Sequence, residues 1–126
     1  MINLRLRIEG TQFEKLSCRE FDPQTTLNQI VEVGRDKVQL WKIDYKLTSF
    51  VNEDDETMGI MFKLNHNLYS DMILITLNFM DYYDVHFFNR EIQMTHKITD
   101  VPCECLYDTI NDYINKPIHE FQMNLN

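Results

Sequence analysis

The sequence predicts an α+β fold: an antiparallel β-sheet meander of about 5–6 strands, a C-terminal amphipathic helix packed on one face, and a short helix near residues 26–33. Three observations carry this. Apolar residues recur with period two over much of the first 94 residues. The period changes to 3.6 after Pro102, where Cys103, Leu106, Ile110 and Ile114 recur at helix spacing. The chain has no alanine but many Ile, Phe, Tyr and Thr, so it lacks the best helix former and is rich in strand formers.

The elements follow in order. Ile2, Leu4, Leu6 and Ile8 alternate with polar residues, a half-buried strand ending at Gly10. Thr11 and Glu14 have the spacing of a capping box, and a hairpin return through Gly10 and Thr11 is the alternative. Asp22-Pro23 breaks the chain. Thr26, Leu27, Ile30 and Val31 then suggest a short helix closed by Gly34 as its C-cap. From Val38, Trp41, Ile43, Tyr45 and Leu47 restore period two. The run Asn-Glu-Asp-Asp-Glu-Thr at 52–57 is a turn, because four adjacent acids repel and form strands poorly. Ile60, Phe62 and Leu64 return, and a second turn covers 66–71. Residues 72–80 are apolar on both faces, as in a central strand. Residues 81–84 turn the chain and 85–94 run back. A helix over 102–115, capped by Thr99 or Asp100 and stopped by Pro117, precedes a last strand through Phe121, Met123 and Leu125.

With 126 residues and neither repeats nor a linker, the chain reads as one compact domain, 1–126. No apolar run approaches the roughly 18 residues of a membrane helix, and the start shows no export signal. Three cysteines without such a signal read as free thiols, and the expected location is cytoplasmic. The net charge is −8. Direct binding to nucleic acid or to an anionic membrane is therefore disfavoured, since both draw their affinity from Lys and Arg. Residues 1–50 are nearly balanced and the acidic excess lies entirely in 51–126. That placement either serves solubility or steers a basic partner.

Catalytic motifs are absent. Cys103-Glu104-Cys105, with His96 and His119 nearby, has the wrong spacing for a structural zinc site. Cys103 is expected in the core with Cys105 at its margin, and neither a metal nor any other cofactor is implied. Asp84, Glu91 and Gln93 faintly echo a metal-dependent nuclease, but the lysine such a site would carry is missing. His66, His86, His96 and His119 read as surface or edge histidines rather than an acid–base pair. No nucleophile elbow or glycine-rich phosphate loop is present. The chain is not expected to be an enzyme.

Asp100, Glu104, Asp108 and Asp112 recur every fourth residue, one slowly turning row if all four are helical. Like charges at this spacing repel, and no Lys or Arg lies between Lys97 and Lys116 to relieve them. Glu53, Asp54, Asp55 and Glu56 form a second acidic cluster. Both are either solvated surface or a partner-binding face. The functional expectation is a small acidic inhibitor that blocks a basic nucleic-acid-handling enzyme by occupying its cationic surface. Toxin-immunity proteins and phage anti-defence (anti-CRISPR) proteins are comparable in type, by size and acidity and not by sequence. The alternatives are a non-catalytic subunit of a larger assembly, or a small ligand-binding domain or enzyme with Trp41, Tyr82, Tyr83 and Tyr107 around its pocket.

Overall fold

Residues 4–34, 47–64 and 72–115 are described by the computed structural model. Among the described residues six strands form one sheet in chain order: β1 (Leu4–Arg7), β2 (Thr48–Val51), β3 (Thr57–Lys63), β4 (Met72–Leu77), β5 (Tyr83–Phe88) and β6 (Met94–Val101). β2 through β6 pair antiparallel, while β1 pairs with β2 in parallel. A parallel neighbour requires a crossover rather than a hairpin. The chain between β1 and β2 carries helix α1 (Pro23–Gly34). The α+β class therefore stands, with a sheet that is mostly antiparallel. The expected strand residues 38–46, the turn over 66–71 and the last strand at 121–125 lie outside the described residues.

Three of the hairpin turns share one design that the strand pattern alone did not reveal. At 52–56, 78–82 and 89–93 an asparagine opens the turn, and its backbone N–H donates to the carbonyl four residues on, at 2.9, 2.8 and 3.0 Å. Its side-chain Oδ1 accepts the backbone N–H groups two and four residues ahead, all at 2.9–3.1 Å. The fourth residue of each turn is left-handed: Asp55, Asp81 and Ile92, with φ of 65°, 64° and 59°. Asp tolerates that conformation, whereas a β-branched residue there is strained. The third turn divides what reads as one strand over 85–94 into β5 and β6. In the second turn, Tyr83 and Asp84 belong to β5 rather than to the turn, and β4 ends at Leu77.

Alternation assigns the core. On one face Ile60, Phe62, Ile73, Ile75, Val85 and Phe87 pack with Leu27 and Ile30 of α1 and with Leu106, Tyr107 and Ile110 of α2 (Leu106–Ile114). α2 is preceded by a 3-10 turn at Cys103–Cys105, so the expected helix over 102–115 starts tighter than an α-helix. Thr99 and Asp100 belong to β6 and do not cap it. On the opposite face Phe50, Met61, Leu74 and Phe88 pack with Ile8 and Phe13. Phe13 arrives there because the chain after β1 makes a 3-10 turn (Glu14–Leu16) instead of a hairpin. The capping box does not form: Thr11 Oγ1 accepts from Phe13 N and Glu14 Oε1 from Gly10 N, while the backbone N–H groups of Thr11 and Glu14 donate to the carbonyls of Ile8 and Thr11. Contrary to the alternation in β1, Leu4 and Leu6 are exposed, because among the described residues nothing covers this edge strand on their side.

α1 begins earlier than its apolar pattern. Asp22 caps it by accepting from Gln24 N (3.2 Å) and Thr25 Oγ1 (2.7 Å), and Pro23 occupies the first helical position. The buried Thr26 and Tyr83 hydroxyls bond at 2.7 Å, and Tyr83 donates to Gln29, tying the helix to β5. Gly34 is not a left-handed cap. It is required because a Cβ there would lie 2.0 Å from the Tyr107 ring, which packs against α1 at this point.

Candidate functional site

Asp84 organises the end of the sheet where β4 turns into β5. Its buried carboxylate accepts from the backbone N–H of Asp100 and from Asn78 Nδ2, both at 3.1 Å. Asn78 Nδ2 also donates to Asp100 Oδ1 at 2.8 Å. These bonds hold Asp100 at a left-handed φ of 59° in an irregularity of β6. Asp84 is thus a structural carboxylate, and Glu91 and Gln93 belong to the turn at the other end of β5.

Of the acidic row, Asp100 lies on β6, Glu104 in the 3-10 turn, and Asp108 and Asp112 on α2. The four are not on one helix, but all are exposed and follow one another along the border between β6 and α2. Asp108 and Asp112 share a helix face. Among the described residues none of the four forms an ion pair with a cation. Asp112 also lines an open groove of about 340 Å³ with Ile98, Thr109 and Tyr113. An apolar wall, a hydroxyl and a carboxylate suit a cationic side chain with an aliphatic stem.

Glu53, Asp54, Asp55 and Glu56 are exposed in the 52–56 turn. Arg5 pairs with Asp55 Oδ2 at 2.8 Å and donates to its carbonyl, so this cluster is partly neutralised. In a meander the 52–56 and 78–82 turns lie at the same end of the sheet, two strand spacings or about 10 Å apart. The structure therefore gathers the acidic turn, Asp81 and Asp100 at one end, while Asp108 and Asp112 continue along α2.

At this end three large apolar residues stand free: Phe79 is 76% exposed, Met80 73% and Tyr82 40%. Apolar continuity over 72–80 predicts a central strand that includes Phe79 and Met80, but β4 ends at Leu77 and both lie in the turn. The signal that would have placed them in a turn is the Asn-x-x-Asp spacing shared by 52–55 and 78–81.

The cysteine expectation is corrected too. Cys103 and Cys105 are both exposed, because they fall on the 3-10 turn before the inward face of α2 begins. Cys103 Sγ donates to Glu104 Oε2 at 3.3 Å, and that bond pushes the thiol pKa up, away from the reactive thiolate. Of the pocket aromatics, Tyr83 and Tyr107 are buried in the core, Tyr82 is exposed, and Trp41 lies outside the described residues.

His86 departs furthest from expectation. It is fully buried rather than at a surface or edge, on the face of β5 opposite the helices, with Nε2 2.9 Å from Thr76 Oγ1. Among the described residues Nδ1 has no hydrogen-bond partner. Burial, with Lys97 adding to it against the opposing pull of Asp84, lowers its pKa to about 4. Since the unfolded chain takes up this proton near pH 6.5 and the folded chain only near 4, acidification between those values favours unfolding. Stability present above about pH 6.5 should fall by about 3 kcal/mol by pH 4 through this group alone. Denaturant unfolding across that range should show a flatter pH dependence for His86→Gln. Identical slopes would mean that His86 is not the group that titrates. His96, by contrast, is exposed and stacks on Tyr113 at 4.9 Å; His66 and His119 lie outside the described residues.

No helix among the described residues is long and apolar enough to cross a membrane. No family model matches the chain, and no curated protein or solved structure matches it.

Proposed function

We propose that this chain is a stoichiometric inhibitor that binds a basic nucleic-acid-handling enzyme and occupies the cationic surface on which that enzyme would seat phosphates. The observation that carries the reading is the acidic border from Asp100 through Glu104 and Asp108 to Asp112, exposed and without a cationic partner among the described residues. Asp108 and Asp112 repel each other on one helix face, and positive charge brought against the border would relieve that repulsion. The cytoplasm is the compartment in which its three free cysteines would persist as thiols. Toxin-immunity and phage anti-defence proteins are the physical types it fits.

Affinity capture tests this. The immobilised chain should retain a basic protein from lysate whether or not nuclease is present, and release it as salt rises. Loss on nuclease treatment would instead show tethering through nucleic acid, and retention indifferent to salt would remove the electrostatic basis. A second reading, a non-catalytic subunit of an assembly, is favoured by the exposed Leu4 and Leu6 on edge strand β1. It requires the partner to be lost on changing those leucines rather than the carboxylates.

A further inference from the structure

We infer that Phe79 and Met80, at the tip of the 78–82 turn, are the apolar anchor of this interface and enter a pocket on the basic partner. The inference rests on the binding reading above and adds to it the residues that supply affinity.

Single exposed apolar residues are ordinary on protein surfaces. Here two adjacent large side chains are each about three-quarters exposed, with Tyr82 beside them. Their turn is held rigid. Asn78 accepts from Met80 N and Tyr82 N at 2.9 and 3.1 Å and donates to Asp84 and Asp100, while Arg19 binds the Asp81 carboxylate. A tip already fixed in one conformation loses little entropy on docking.

The occupant follows from the charge around the tip. Asp81 is part of the turn, Asp100 is bonded to it through Asn78, and the 52–56 cluster lies about 10 Å away. Among the described residues the arginines at this end are already engaged, Arg19 by Asp81 and Glu20, Arg5 by Asp55 and Arg7 by Glu9. An anionic lipid surface would be repelled, and a second copy would bring like charges together. A basic protein surface with an apolar pocket meets both the side chains and the carboxylates of Asp100, Glu53, Asp54 and Glu56, which are exposed and form no ion pair among the described residues. Anchors of this kind dominate binding energy, with charged groups at their rim steering approach.

The test uses the full chain and the basic protein that it captures, purified. Phe79→Ser with Met80→Ser should melt as the parent does, since both side chains lie outside the core. Its affinity for the purified partner should fall about thirtyfold or more. The loss should persist at high salt, because apolar contact is not screened. Equal affinity of parent and double variant would overturn the anchor and leave the acidic-binding reading intact. Capture of no basic protein by the parent would overturn both. Self-association of the parent, abolished in the double variant, would make a second copy the occupant and overturn the inference.

Discussion

Truncating Ile110 or Leu106 to alanine lowers the unfolding free energy by about 2–5 kcal/mol in each case. Both side chains are completely buried in the cluster that joins α1 and α2 to the sheet. Alanine removes the transfer energy of the lost methyl and methylene groups, and the rigid strands beneath cannot close the space. A loss of this size is a large fraction of the about 5–15 kcal/mol that holds a typical domain together. Equilibrium denaturation should show a lower midpoint with an unchanged slope. Unchanged midpoints for both variants would mean that α2 is not docked through this face.

Reversing Glu104, Asp108 and Asp112 together to lysine should abolish capture of the basic partner while the chain remains folded. All three side chains are exposed, so no core contact is removed. Their effects on the helix itself largely offset. Asp112, in the last turn of α2, faces the negative end of the helix dipole, where lysine is preferred; Asp108, in the first turn, is well placed as an acid. At the interface the reversal replaces attractions with three repulsions, and like-charge juxtaposition costs several kcal/mol. Glu53→Lys with Asp55→Lys should weaken capture less. The reason is Arg5, which already neutralises Asp55, and not a loose turn, since the Asn52 side chain fixes that turn as firmly as its counterparts. Capture of the partner by the triple variant at parental strength, at low and moderate salt, would leave the border as solvated surface.

The layout of the proposed binding surface is legible in the sequence in part. The exposure of Asp108 and Asp112 follows from spacing, because exposure along a short helix is set by the positions that its apolar residues take; Glu104 is exposed as well, but in the 3-10 turn before that helix. Asp100, which the same spacing assigns to the helix, lies on β6. Its conformation is set by a hydrogen bond to Asp84, sixteen residues earlier, which no local pattern contains. Phe79 and Met80 read as strand because apolar residues directly after a central strand look like its continuation. Only the asparagine that opens the turn distinguishes them.

By itself the sequence determined the features that depend on near neighbours. Period two placed β3 and most of β4, the acidic run placed the 52–56 turn, and the 3.6 period with Leu106 and Ile110 placed α2 and its buried face. These follow from steric preference and from which side of an element is apolar. The tertiary structure alone decided the rest: the parallel pairing of β1, the exposure of Leu4 and Leu6, the burial of His86, and the need for glycine at position 34. Each depends on a segment far away in the chain, whether present across the sheet or absent from it. The Tyr107 ring forbids a side chain at Gly34, and among the described residues no element covers the leucines of β1, which stay exposed. Burial belongs to a pair of surfaces, and a sequence displays only one of them at a time.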